Sequence, residues 1–359
     1  MKRQSGLSLV ELMVALVLGL IVVAAVIELF ISSRQLYRVQ DVKARMQEDG
    51  RFAMYRIGEL LDRAGYRGCA SVRNQAATDD DTQTDGSQQS SGRPIQNLLT
   101  TEADYFWQLD APVQGHNANG NVWAPAKPGA LNNANVGSDI LTIRTVGATY
   151  IPIIAKQASY FSVGADNGLD DCDPALEPNS CSNIVMVSNC NDFTTVFQVT
   201  NDPSNGELRY APNVGIPGNR NEDLIGEYGP TSWVNTIASH SFYVRDNVDG
   251  TPSLYQKTLD NNAEAILEGV EQMQVTYGVD TNGDFSVDSY ETANDVDFWT
   301  DVISVRVSLV MINLQDDGTD TNLALGDGSY FLEGVEVTPD DGRLRRVFTK
   351  TIMLKNRNS

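Results

Sequence analysis

SGLSLVELMVALVLGLIVVAAVIELF, residues 5–30, decides what kind of protein this is. Between Glu11 and Glu28 it holds only apolar residues, Ala and one Gly. With Leu7–Val10 and Leu29–Ile31 added, a helix rising about 1.5 Å per residue is long enough to cross the roughly 30 Å of a bilayer's hydrocarbon. Glu11 then lies near one boundary. A lone carboxylate there costs roughly 3 kcal/mol or more on insertion scales and marks function. Lys2 and Arg3 precede the run, so the N-terminus is expected to stay cytoplasmic and the bulk of the chain to be exported. An ordinary secretory signal peptide is the competing reading. Against it, no small-x-small cleavage site follows the apolar run, and a glutamate inside that run does not suit one.

Beyond Ile31 the apolar residues keep a helical period: Leu36, Val39, Val42, Met46, Ala53, Ile57, Leu60, Leu61 and Ala64. Gly50 and Gly58 interrupt the stripe and are expected to be soft points, each costing about 1 kcal/mol relative to Ala. The sequence AGYRGC, 64–69, supplies the stop, with Gly65 and Gly68 suited to left-handed caps. The first half of this helix is expected to face other subunits, and the second half to lie on a sheet of its own head.

Residues 74–92 are rich in Asp, Ser, Gln and Thr and read as a surface loop. From about residue 138 the signals are strands, at 139–146, 183–188, 194–200, 239–246, 253–258, 273–280, 302–312 and 345–354. Gly, Asn and Pro clusters separate them. Apolar and polar residues alternate in several, as in sheets with one solvated face. The predicted fold is therefore α+β, a long N-terminal helix packed on a large antiparallel β-rich head.

The formal net charge is −21 over 359 residues, which argues against phosphate-backbone binding and so against a nucleic-acid partner. The charge is uneven. Residues 34–73 hold nine Lys/Arg against five Asp/Glu, residues 1–33 balance, and the remainder carries −25. A basic rod followed by an acidic head favours attraction between rods and heads of neighbouring subunits. Four cysteines, Cys69, Cys172, Cys181 and Cys190, include no CxxC pair, so a zinc site is not expected. In an exported chain they favour two disulfides, with three possible pairings. Cys172 and Cys181 flank the Pro-containing loop DPALEPNS, easily closed by a bridge, which leaves Cys69 for Cys190.

DTNGDFSVDSYE, 280–291, fits the spacing of a calcium loop. Asp280, Asn282 and Asp284 offer side-chain oxygens at positions one, three and five. Ser286 offers its carbonyl at seven, Asp288 stands at nine, and Glu291 supplies a carboxylate at twelve. The sixth position is Phe285 instead of Gly, which counts against the sharp turn such loops make; the competing reading is an acidic hairpin turn on Asn282-Gly283. No GxSxG, HExxH or phosphate-loop pattern is present. His116 and His240 stand alone among Gly, Asn or Ser and are expected to be surface or turn residues. The four tryptophans, Trp107, Trp123, Trp233 and Trp299, are expected to anchor the core or an interface. An enzyme is not expected.

KRQSG followed by LSLVELMVAL resembles the class III prepilin motif: a short basic leader ending in Gly6, an apolar residue, and Glu at the fifth position after the break. The resemblance implies cleavage after Gly6 by prepilin peptidase and N-methylation of Leu7, where Phe is commonest. It also gives Glu11 a role, to meet the new Leu7 ammonium in the apolar core of a filament, each charge offsetting the other's desolvation. The helix-interior proline usual in major pilins is absent, which points to an accessory subunit. QEDGRFAMYRIGELLDRAGYRGC (47–69), SDILTIR (138–144), VSNC (187–190), FYVRDNVDGTPSLY (242–255), ILEGVEQMQVTYGVDTNGDFSVDSY (266–290) and RRVFTKTIMLKNR (345–357) are together similar to PilW-type minor pilins of type IV pili.

That resemblance implies a leader at 1–6, a membrane and filament-core helix at 7–31, an amphipathic helix at 32–67 and an exported head at 68–359. It implies a start in the inner membrane and a later place in the pilus. The implied partners are the major pilin, minor pilins of the PilV, PilX and FimU types, and a PilY-type tip adhesin. Two other readings stand beside it: a J-type pseudopilin of type II secretion, and a ligand-binding tip module using loops at 74–92 and 110–135.

Overall fold

The computed structural model describes residues 9–66, 95–100, 105–107, 111–131, 133–177, 181, 183–189, 194–221, 224, 226–258, 263–314, 329–341 and 343–357. One helix, α1 (Leu9–Arg63), runs unbroken for 55 residues. Its first part is rich in Leu and Val, and its second part in Arg, Leu and Gln, which are good helix formers. It ends four residues before the expected boundary at 67, because Gly65 takes a left-handed φ of 75°. Asn356 caps the end, its Nδ2 donating to the Ala64 carbonyl at 3.0 Å, and Lys355 Nζ lies 2.8 Å from Asp62.

The strands are β1 (Ile95–Asn97), β2 (Val113–Asn119), β3 (Val122–Ala124), β4 (Ile140–Pro152), β5 (Ala155–Lys156), β6 (Tyr160–Ser162), β7 (Ile184–Ser188), β8 (Thr194–Gln198), β9 (Glu207–Arg209), β10 (Trp233–Asp246), β11 (Pro252–Thr258), β12 (Glu264–Glu268), β13 (Val270–Val279), β14 (Ser289–Glu291), β15 (Val302–Ile312), β16 (Tyr330–Leu332), β17 (Val335–Val337) and β18 (Arg345–Met353). A large sheet runs β1-β8-β7-β10-β4-β2-β3, with β11 added beside β10 and β12 beside β11. A second sheet runs β14-β13-β15-β18. Pairing among the described strands is antiparallel except for β1 on β8, where Ile95 faces Thr194 in parallel register.

The main core lies where α1 meets both sheets. Met46, Ala53, Ile57 and Leu61 of α1 are buried with Leu141, Ile143 and Phe242 of the large sheet and Met273, Val305 and Leu309 of the small one. A separate core, built on Phe161, Phe197, Tyr210 and Tyr228, holds the part of the head around β6 to β9.

Gly50 and Gly58 sit against β18 within an unbroken helix. A Cβ on Gly50 would stand 2.6 Å from the Phe348 ring, and one on Gly58 would stand 2.9 Å from Lys350 Nζ and 3.6 Å from Ile352 Cδ1. Phe348, Lys350 and Ile352 alternate along β18 and so share one face. The two glycines are the places where the helix lets that face approach.

Candidate functional site

Glu11 lies in the first turn of α1 and is exposed, as are the residues around it. Gly6 and Leu7, the expected processing residues, lie outside the described residues. Val10, Leu12, Val17, Ile21 and Phe30 are each more than half exposed, and the most apolar window of the helix, with mean hydropathy 3.0, has none of its residues buried. Among the described residues this is the one helix long and apolar enough to cross a membrane. The first buried residue of α1 is Val39, followed by Met46. The helix therefore divides into a free apolar half and a half built into the head, with Glu11 on the free half.

Residues 280–291 comprise the loop 280–288 after β13 and the short strand β14. The Asp280 side chain accepts from three amides, Gly283 at 2.7 Å, Asp284 at 3.2 Å and Phe285 at 2.8 Å. Asn282 Oδ1 accepts from the Asp284 amide and Asp284 Oδ1 from the Ser286 amide, each at 2.8 Å. Asp288 accepts from the Thr281 amide and hydroxyl, which hold its carboxyl below the ordinary value. Glu291 Oε1 accepts from Ser289 at 2.7 Å. Phe285 takes φ 65°, so the turn that was doubtful without glycine is made after all, with the amides locked onto Asp280. Among the described residues no group of three or more His, Cys, Asp or Glu is placed to hold a metal ion.

Cys172 and Cys181 are joined in a disulfide, Cα–Cα 5.7 Å; Cys69 and Cys190 lie outside the described residues. The loop it closes turns on Asp173, whose carbonyl accepts from Leu176 and Glu177. The expected loop at 74–92 also lies outside the described residues. The stretch 110–135 is no simple loop: it holds the β2–β3 hairpin and a 3-10 turn at Gly129–Leu131.

Both histidines depart from expectation, since each sits in a strand. His116 is buried in β2, its Nδ1 2.8 Å from the Pro125 carbonyl oxygen, and burial lowers its pKa. His240 lies mid-strand in β10 with Nδ1 2.9 Å from Gln256 Nε2; burial, then the charges of Arg56 and Arg63, push it down to about 4. Neutral imidazoles bonded to neighbouring strands or turns suit packing. Their isolated polar setting in the sequence hid the alternation that places them. Of the tryptophans, Trp299 meets Tyr277 edge-on at 4.9 Å beside the main core, and Trp123 donates to the Ser138 carbonyl at 3.1 Å. The Trp107 side chain lies outside the described residues.

Sequence reasoning missed three buried ionic groups. Asp139 accepts from Ala118 of β2 at 2.8 Å and from Val275 of β13 at 2.9 Å, tying the two sheets together. Arg144, 2% exposed in β4, donates to the carbonyls of Tyr105, Phe106 and Ala111 and to Gln114. Arg345 grips two carboxylates, Glu271 at 2.7 Å and Asp341 at 2.6 Å, which holds the Asp341 carboxyl well below the usual range. Arg144 alone carried a signal, a charge inside an apolar strand; Asp139 stands just before β4 and Arg345 opens the mostly polar β18.

Two family models match the chain. The model for type IV pilus-assembly protein W (PilW) covers residues 241–356, and the prokaryotic N-terminal methylation motif covers residues 1–27. The first takes in the end of β10 and every later strand, the part of the head in which β18 and β15 meet α1. A comparison with curated proteins gave no match. Among solved structures, a type IV-like pilin from Thermus thermophilus aligns at 10% identity over 87% of this chain and 97% of its own, with a TM-score of 0.34.

Proposed function

We propose, from the premise that this is a type IV pilin-like chain with a PilW domain and a prepilin methylation motif, that it is a minor pilin of a type IV pilus. One observation carries the reading. A helix with an exposed apolar half is built, through its other half, into the part of the head that the PilW model covers. In this reading the chain starts in the inner membrane with its head periplasmic. Prepilin peptidase cuts after Gly6, and Leu7 is methylated. The subunit then joins other minor pilins and the major pilin, helping to start assembly near a tip that carries a PilY-type adhesin. The role is structural, not enzymatic. A J-type pseudopilin of type II secretion would use the same helix with other partners, and copurification from envelope membranes separates the two.

Glu11 is the residue on which assembly depends. A buried ammonium left without its carboxylate is destabilised by about 3–5 kcal/mol. Glu11→Ala should insert into the membrane as well as the unchanged chain. It should fall by at least about tenfold in sheared pili, read by immunoblot of both fractions. Equal amounts in the pili would overturn the role. Calcium at 280–291 belongs to the same proposal, supported by the ligand spacing and by the turn at Phe285.

A further inference from the structure

The helix is basic just past its apolar half. Between residues 32 and 46, Arg34, Arg38, Lys43 and Arg45 face a single acid, Asp41, which lies 3.0 Å from Arg45. At about 100° per residue, the spacings put Phe30, Arg34, Tyr37 and Arg38 along one side of α1. Phe30 is 68% and Tyr37 74% exposed, and both arginines are exposed. Val39 and Met46, which are buried, lie on the other side. The stripe therefore points away from the head. At about 1.5 Å per residue, Arg34 and Arg38 stand roughly 5 and 10 Å beyond Ile31. That is the depth of phospholipid headgroups, and aromatic rings favour the same layer.

Orientation does not account for these charges. Basic residues near a span tend to stay cytoplasmic, and there are four at the head end against Lys2 and Arg3 at the other. An exported head carries them against that tendency. We infer that Arg34 and Arg38, flanked by Phe30 and Tyr37, bind the phosphate groups of anionic phospholipids in the outward-facing leaflet and hold the subunit at a fixed depth before assembly. Arginine forks suit phosphate oxygens, and the site is continuous with the membrane-spanning face. The inference rests on the helix being a membrane span and needs no pilus.

The test uses the full chain in nanodiscs of phosphatidylcholine with one quarter phosphatidylglycerol, and counts retained lipids by native mass spectrometry. The unchanged chain should retain phosphatidylglycerol over phosphatidylcholine, less so at high salt. The variant Arg34→Gln/Arg38→Gln should lose that preference by roughly fivefold for each arginine removed. Both side chains lie outside the head's core, so an unchanged melting temperature should confirm that the variant is folded. Equal retention by both chains would overturn the inference. So would a variant that keeps the lipid but loses other pilin-like chains, since the arginines would then serve an acidic protein surface. A chain that keeps the lipid preference yet never enters pili would sink the pilus reading alone.

Discussion

Asp139 shows what one buried charge does to a pH profile. It is 2% exposed, and burial pushes its carboxyl up to about 6, against the pull of the Ala118 and Val275 amides and with the Glu333 charge adding to the rise. The folded pKa is thus above the unfolded value of 3.8, so the fold favours the protonated form. This group's contribution is fully present below about pH 4 and is lost as pH rises through about 6, a swing of about 3 kcal/mol. Asp139→Asn removes the titration. It also turns an amide N–H toward a backbone N–H, at about 1–3 kcal/mol. Urea midpoints from pH 4 to 7 should show the gap between the two chains narrowing as pH rises; a constant gap would refute the assignment. At 280–291 the oxygens are already engaged with amides, so the loop holds its turn unaided and calcium would act by relieving carboxylate repulsion. Millimolar calcium should raise the melting temperature of the unchanged chain and leave Asp284→Ala unmoved. No rise in the unchanged chain would retire calcium.

Elements in this protein were more legible than the contacts between them. The eight expected strands all exist, and 302–312 matches β15 to the residue. The apolar stripe from Val39 to Leu61 on α1 is buried, Val42 in part, while Leu36 is 56% exposed. Hidden were the short strands, β1, β3, β5, β9 and β14 among them, which at two or three residues carry no period to read. Hidden too was the meaning of Gly50 and Gly58, because helix propensity is local and the Phe348 ring is some 300 residues away. The same held for the site. Glu11 stood out because a charge in an apolar run is visible in one dimension. Asp139 and Arg345 did not, because Ala118, Val275 and Glu271, which meet them, lie on other strands. The helix–sheet contact predicts its own mutant. Gly50→Leu gains about 1 kcal/mol in propensity but drives a side chain into the Phe348 ring, an overpacking cost of about 1–3 kcal/mol or more. The detergent-solubilised chain should melt several degrees lower. Gly19→Leu, with nothing within 4 Å of the added Cβ, should not. Equal melting of the two variants would mean that β18 does not press on the helix at Gly50.

The whole molecule is one head with half a helix inside it. Every buried residue of α1 lies from Val39 onward, so residues 9–31 add nothing to the head's core. A chain beginning at residue 32 should therefore be soluble and unfold cooperatively at nearly the temperature of the full chain. A chain beginning at residue 67 is a different matter. It lacks Met46, Met54, Ile57, Leu60 and Leu61, all buried in the main core. At about 1.5–3 kcal/mol for each buried side chain the loss is on the order of 10 kcal/mol, as much as a typical domain's entire stability. It also bares the inner faces of β15 and β18, which α1 covers. That shorter chain should show no cooperative melting transition and should bind a hydrophobic dye, as loosely packed states do. Differential scanning calorimetry of the two chains checks both expectations. A cooperative transition at the same temperature without residues 32–66 would mean that the second half of the helix is an attachment to the head and not part of its core.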